Sequence, residues 1–244
     1  MRALTANEIL NAWEQAQSLS PAERALSLLA LAETGTSRDK LAQLSIGRRD
    51  GVLLKLREKI FGSRMTGRSN CPACGQPMEM SFLVADVQAG PSPGSAESFT
   101  ATFGEHQISF RLPNSGDLAT LISGGDVEPQ KRRLIQRCVL QATRNGEPLT
   151  ADQLAEDAVS ALSERMSELD PQGDVQLALS CPQCSHRWRA PLDVASFVWS
   201  EIQAWAVRLL RDVHVLATAY GWREAEILAM SPWRRQAYIE LIER

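Results

Sequence analysis

The sequence predicts an α+β protein, mostly α-helical, in which helical lobes are joined by a small β module split into two pieces. Three observations lead there. Apolar residues recur at helical spacing at both ends of the chain. Two Cys-x-x-Cys knuckles, Cys71-Pro72-Ala73-Cys74-Gly75 and Cys181-Pro182-Gln183-Cys184-Ser185, are flanked by residues that alternate as strands do. Between the knuckles the period changes twice, first to strand and then back to helix.

The N-terminal elements read as helices from their caps. Thr5 or Asn7 is a cap candidate, followed by Leu10, Trp13 and Ala16 on one face. Ser20-Pro21-Ala22-Glu23 opens a second helix through Leu31, with a serine cap, proline in the first turn and an acid after it. Ser45 to Asp50 leads into a third, with Val52, Leu53, Leu56 and Ile60 aligned and a stop at Phe61-Gly62. Gly90 to Ser95 is a turn or linker. Phe99–Phe103 and Gln107–Leu112 alternate around Gly104-Glu105-His106, a β-hairpin with His106 exposed at its tip. Helical spacing returns over Asp117–Ser123 and over Pro129–Thr143, where Leu134, Cys138 and Ala142 form a buried stripe. Leu154–Leu169 is a further helix.

Phe197–Tyr220 carries Val198, Ile202, Trp205, Leu209, Val213 and Leu216 at intervals of three and four, until Gly221 stops it. A short helix over Glu224–Ala229 and a last one over Trp233–Ile242, capped by Ser231-Pro232, complete the chain. These elements divide into an N-terminal helical domain (1–69), a first ribbon half with the hairpin (70–113), and a helical insertion (114–172). A second ribbon half (173–196) and a C-terminal helical segment (197–244) follow.

The knuckles carry the chemistry. A Cys-x-x-Cys turn points two sulfurs into one concavity, and two such turns supply the four soft thiolates of a structural zinc site, Cys71, Cys74, Cys181 and Cys184. Met78–Val84 after the first knuckle and Val175–Leu179 and Arg187–Leu192 around the second alternate, which is the form of a zinc ribbon. Its strands are expected side by side, although the hundred-residue separation lies outside the usual spacing. Disulfides would need an oxidising compartment, and Met1–Leu29 reads as an amphipathic helix, not a signal peptide. A redox pair would need a thioredoxin-like context, which is absent. Four sulfurs leave no open position, so one structural Zn2+ per chain is expected. His186 reads as a surface turn residue, and Cys138 as a small buried apolar side chain.

Composition bounds the function. No apolar run approaches the length of a membrane span. The formal net charge is −3. Met1–Ser69 is basic on balance and Asn70–Ser196, which holds the ribbon, is acidic. That balance argues against a phosphate-binding finger. The arginine pairs Arg48-Arg49, Arg132-Arg133 and Arg234-Arg235 are scattered and form no stripe. The three histidines, His106, His186 and His214, sit in no catalytic motif, and His214 on the long helix reads as a hydrogen-bonded structural residue. No catalytic residue is expected, and no enzymatic activity. Four of the six tryptophans fall from Trp199 onwards. Helix packing is their first expectation and a partner surface the alternative.

Several segments resemble a known family: LTANEILNAWEQAQSLSPAERALSLLALA, LSIGRRDGVLLKLREKIFG, CPACG, FRLPNSGDLATL, RRLIQRCVL, CPQCS and LLRDVHVLATAYGWREAEILAMSPWRRQAYIELI. They are similar, in this order, to the baseplate proteins or baseplate hub assembly chaperones of contractile phage tails and of phage-tail-like contractile injection systems. The last segment is the most specific, with its Tyr220-Gly221-Trp222 break and Pro232-Trp233-Arg234-Arg235. The resemblance implies a non-enzymatic, cytoplasmic assembly factor of the baseplate hub acting by protein–protein contact. Hub, spike or other tail proteins are its partners, with neither membrane nor nucleic acid among them. Tyr220, Trp222, Trp233, Arg234 and Arg235 are the candidate partner residues. A structural component incorporated in the particle is the alternative, and a zinc-ribbon nucleic-acid binder the second.

Overall fold

The first helices begin where side chains can replace the missing backbone partners. In the computed structural model, which describes residues 1–90, 98–121 and 126–242, α1 (Ala6–Gln15) and α2 (Pro21–Ala32) open on reciprocal capping boxes. Thr5 accepts from Glu8 N–H while the Glu8 carboxylate returns to Thr5 N–H, and Ser20 and Glu23 repeat the exchange. A single turn, α3 (Arg38–Ala42), precedes α4 (Ile46–Phe61), which ends at Gly62 with φ +85°.

The chain then turns into β1 (Arg64–Asn70) and β2 (Pro77–Leu83), an antiparallel hairpin bearing the first knuckle, followed by the short α5 (Val84–Val87). β1 begins inside the segment expected to be helical. Its Thr66-Gly67-Arg68-Ser69 stretch has no apolar alternation to announce it.

β3 (Phe99–Phe103) and β4 (His106–Phe110) form the expected hairpin, and a one-turn α6 (Ser115–Leu118) follows. The expected linker over residues 91–95 and the helix end at residues 122–123 lie outside the described residues. His106 is not at the exposed tip. It is the first residue of β4, 8% exposed, because another strand pairs on the far side. That strand corrects a second expectation. α7 (Val127–Cys138) ends at Cys138, and the residues read as its last turns are β5 (Val139–Arg144), hydrogen-bonded to β4. Asn145 and Gly146, both with positive φ, turn it into β6 (Glu147–Leu149). Ala142 is buried from the strand, while Ile135 beside the half-buried Leu134 faces the core from the helix.

With α8 (Glu156–Leu169), these elements make one inserted α/β lobe with sheet order β3-β4-β5-β6. Ile108, Phe110, Cys138, Leu154 and Leu162 are its core. The hairpin therefore belongs to the insertion and not to the ribbon.

β7 (Gln176–Ser180) and β8 (Arg187–Pro191) form the second knuckle hairpin. It does not pair with β1-β2. The ribbon halves remain two separate two-stranded sheets, against the expected side-by-side arrangement. From β8 the chain enters α9 (Val194–Tyr220), capped by Asp193 and stopped by Gly221 in the left-handed region. α10 (Glu224–Leu228) and α11 (Pro232–Ile242) follow.

The first half of α9 completes the N-terminal core. Val194, Val198 and Ile202 pack with Leu28, Leu29, Leu53, Leu54 and Leu56, so both ends of the chain share one hydrophobic centre. The Trp13 indole donates to Gln203 at 2.6 Å, and Arg24 stacks on Trp199. Buried Arg57 of α4 holds Glu201 of α9 through two 2.7 Å bonds. Two more of its N–H groups reach the Gly62 and Arg64 carbonyls. One guanidinium thus ties α4, the start of the first hairpin and α9.

The inserted lobe is fastened to the N-terminal turn of α4. Ile46 N–H donates to Pro113 O, Ser45 bridges Asn114, and Arg49 reaches Ser115. At the other end of the lobe the Asp170 carboxylate accepts from Gly47 N–H at 2.7 Å, a negative group at a helix N-terminus. Gln172 closes on the Val87 carbonyl and the Ala89 amide. A Cβ on Gly47 would lie 2.3 Å from Asp170 Oδ1 and 2.6 Å from Gly173 N. Alanine in a helix normally adds about 1 kcal/mol over glycine. Gly47→Ala is expected to do the reverse and lower stability by about 2 kcal/mol or more, through overpacking and loss of the Asp170 bond. A denaturant titration showing Gly47→Ala as stable as the parent would remove this contact from the fold's essentials.

Candidate metal centre

Each knuckle is one tight turn at the end of a hairpin, built the same way twice. Cys71 N–H donates to the Gln76 carbonyl at 2.9 Å, and Gly75 N–H to the Cys71 carbonyl at 2.8 Å. In the second, Cys181 N–H donates to His186 O and Ser185 N–H to Cys181 O, both at 2.9 Å. The residue after the second cysteine is left-handed in both, Gly75 at φ +72° and Ser185 at φ +59°. The first cysteine of each knuckle is buried and the second exposed.

The two turns meet. Sγ of Cys71 lies 3.7 Å from that of Cys184, Sγ of Cys74 lies 3.7 Å from that of Cys181, and all four sulfurs fall within 4.8 Å of one another. A disulfide would require about 2.05 Å. Four sulfurs each about 2.3 Å from a tetrahedral ion stand roughly 3.8 Å apart, so the set fits a tetrathiolate metal site. Burial pushes the Cys71 thiol up, but the amides of Cys74 and Ala73 and the sulfurs of Cys74 and Cys184 outweigh it and hold it at about 7. Cys184 moves the other way. The His186 amide lowers it, yet burial and the three neighbouring sulfurs push it up to about 12. Ionising all four in this volume would call for a cation to compensate them. With every position sulfur, none is left for a substrate or water.

The other candidates lie elsewhere. Cys138 is buried in the inserted lobe, and burial drives its thiol up to about 12, as befits an inert apolar side chain. His186 is exposed and stacks on Trp188, outside the sulfur cluster. His214 is exposed on α9, at the surface and not in a structural interior. Among the described residues, the four cysteines are the one group able to hold a metal.

The sequence expected the ribbon to be acidic, and here the structure corrects it. The hairpins carry exposed Arg64, Arg68, Arg187 and Arg189 against a single acid, Glu79. The acidic residues of the middle segment sit mainly in the inserted lobe, and a boundary at Ser69 left the β1 arginines with the N-terminal helices, so the basic pair of hairpins was hidden twice over.

The five candidate partner residues divide three ways. Trp233 is 81% exposed and Arg234, also exposed, lies over the Tyr238 ring. Tyr220 and Trp222 stack at 4.4 Å with Tyr238 edge-on to both, so they fasten α11 to the end of α9. Tyr238 was not singled out in the sequence, though it stands four residues after Arg234 on the same helical face. Arg235 is interior: 3% exposed, it donates to Met230 O at 2.6 Å and approaches Asp212 at 4.0 Å. Its long side chain is spent on closing the C-terminal lobe, which takes it out of the expected surface.

A family model described as T4 bacteriophage base plate protein matches residues 1–199. No curated protein and no solved structure matches. The matched region holds the N-terminal helices, the inserted lobe, both hairpins and the start of α9. The Trp222–Tyr238 lobe lies beyond it.

The repeated turn generates a prediction of opposite signs. A non-glycine residue in the left-handed region costs about 1–2 kcal/mol, partly offset by the entropy glycine loses on folding. Ser185→Gly is expected to raise stability by about 0.5–1 kcal/mol, and Gly75→Ala to lower it by a similar amount or more. Equal midpoints for Ser185→Gly and the parent in chemical denaturation would mean that the turn carries no strain.

Proposed function

The chain belongs to the T4 bacteriophage base plate protein family, and from that premise we propose that it is a non-enzymatic zinc protein acting in assembly of the baseplate hub by contact with other tail proteins. The observation that carries the reading is the four-sulfur cluster inside the family-matched region. It is an all-thiolate site with no open position, suited to holding structure and not to chemistry. Structural zinc contributes on the order of 10–16 kcal/mol of apparent folding free energy. That is enough to hold two small hairpins in one orientation. The same physics serves a tail of a phage or of a bacterial contractile injection system.

The C-terminal lobe supplies the candidate contact. Trp233 stands out of α11 with Arg234 beside it, and an exposed tryptophan with an arginine is anchor chemistry at protein interfaces. Trp222 and Tyr220 hold the helix that presents them. Hub or spike subunits are the proposed partners, met in the cytoplasm. A second reading, a stoichiometric structural part of the particle, is favoured by the family description itself, which names a base plate protein.

Two measurements test this. Metal analysis of the purified protein is expected to find one zinc per chain, and Cys181→Ser to lose it with a fall in Tm of 10 °C or more. Iron in place of zinc, or a retained metal in Cys181→Ser, would refute the assignment. The double variant Trp233→Ala, Arg234→Ala is expected to abolish co-purification of hub or spike proteins while Tm moves by only a few degrees. A large loss of stability would place both residues in the fold instead. Mass spectrometry of purified particles separates the two roles: absence of the chain marks an assembly factor, and a fixed ratio marks a component.

A further inference from the structure

The four clustered cysteines are not equally open to solvent. The second of each knuckle, Cys74 and Cys184, is exposed together with the turn residues around it, while the first, Cys71 and Cys181, is buried. The fifth cysteine, Cys138, lies fully buried with Ile108 and Phe110 in the core of the inserted lobe. Oxidation of a cysteine follows its thiolate character and its access. A dissolved oxidant therefore meets Cys74 and Cys184 first.

Each exposed sulfur has a buried sulfur of the opposite hairpin beside it. Cys74 Sγ lies 3.7 Å from that of Cys181, and Cys184 Sγ 3.7 Å from that of Cys71. A disulfide is about 2.05 Å long, so each pair must close by roughly 1.7 Å. The hairpins can supply that movement as bodies. Neither ladder crosses from one hairpin to the other, so the tips can approach without breaking a strand hydrogen bond. A bridge within one knuckle would have to reshape a turn pinned by its own backbone. Cys71 N–H to Gln76 O and Gly75 N–H to Cys71 O hold the first, and Cys181 N–H to His186 O and Ser185 N–H to Cys181 O the second. The arrangement favours bridges across the hairpins.

We infer that the cluster is an oxidation-responsive fastening, in which a hydroperoxide oxidises Cys74 and Cys184 and each is then bridged to its buried neighbour on the other hairpin, Cys181 and Cys71. With hydrogen peroxide, the Cys74 thiolate attacks one oxygen. An S–O bond forms, the O–O bond breaks, and the departing hydroxide takes a proton to become water. The Cys181 thiolate then attacks the Cys74 sulfur. An S–S bond forms, the S–O bond breaks, and a second hydroxide leaves as water. Cys184 and Cys71 repeat the sequence. Four thiolates, two molecules of hydrogen peroxide and four protons thus give two disulfides and four molecules of water, with four electrons passing from sulfur to oxygen. Only thiolates hold the cation, so a bound ion is released. Two covalent bonds then take over the joining of the tips.

The inference rests on the reading of the cluster as a structural metal centre and adds its regulation. Thiols stay reduced in the cytoplasm, and a component carried out of the cell in a particle leaves that medium.

The test is titration of the purified full chain with hydrogen peroxide. Released ion is followed with a chromophoric chelator, bridges by tandem mass spectrometry of an unreduced digest, and melting by circular dichroism. Peptides joined through Cys74–Cys181 and Cys71–Cys184 are expected, with the ion released in step and Cys138 left as a free thiol. Cys138→Ser is expected to leave the rate of release unchanged. The oxidised chain is expected to melt within a few degrees of the metal-loaded one, and the reduced chain stripped by a chelator about 10 °C lower or more. Dithiothreitol with added zinc is expected to restore the starting state.

Bridges confined to single knuckles, or sulfinic and sulfonic acids in place of bridges, would overturn the inference. So would a cluster left intact by peroxide in large excess, or an oxidised chain that melts as low as the stripped one. The metal reading fails separately. A chain that purifies without metal and still forms the two cross-hairpin bridges would remove the metal centre and leave the fastening. One zinc per chain with no such bridge would leave the metal centre and remove the fastening.

Discussion

Two turns more than a hundred residues apart must place four sulfurs within bonding distance of one point, and much of the molecule is arranged to let them. Closing a flexible loop of that length costs about 4 kcal/mol of entropy, and two lone hairpins have little core to offset it. The protein lowers the demand by rooting both hairpins on the same helix. The second runs directly into α9, and the first is tied to α9 through Arg57, which bonds both Glu201 and the Arg64 carbonyl, and by Phe82 beside Phe197. What remains is a short gap at the tips, which a tetrahedral ion of the proposed kind would close with free energy to spare.

Arg57 is an expensive way to make that joint. A buried guanidinium loses its hydration and is tolerated only when its donors are met. Here each of its three nitrogens donates: one carboxylate takes two of the five N–H groups and two backbone carbonyls take two more. Such an arrangement specifies one geometry more than it adds stability. The inserted lobe uses the same device at the opposite end of α4, where Asp170 and the Pro113 carbonyl complete the first helical turn. Asp50, buried beside Arg49 nearby, has its carboxyl pushed up to about 6 by that burial, against the pull of the guanidinium. One helix therefore carries the joints of both the knuckle hairpins and the insertion.

This explains how a small β module can sit between larger bodies without a core of its own. Alternate side chains of β2 and β7 are half-buried, with Phe82 against Phe197 of α9, and the rest are exposed. The parts with hydrophobic centres are the N-terminal core, which includes the first half of α9, and the inserted lobe. The C-terminal helices pack around Leu216, Ile227 and Ile239. The most exposed tryptophan stands there, on the part of the chain that the family model does not cover.

The sequence by itself determined the helices with side-chain caps, because Thr5–Glu8, Ser20–Glu23 and Gly221 act within a single turn. It determined the four cysteines that cluster too, since Cys-x-x-Cys turn geometry is local. The β5-β6 hairpin was also legible in principle: Asn145-Gly146 is a strong turn signal, obscured by apolar spacing in Leu134, Cys138 and Ala142 that fits a helix equally well. Tertiary structure alone decided that β5 would pair with β4 and bury His106, and that the ribbon halves would stay unpaired. It alone put Arg235 inside and Trp233 outside. Each of these turns on which surfaces meet across long stretches of chain, and no local spacing of residues encodes the partner on the other side.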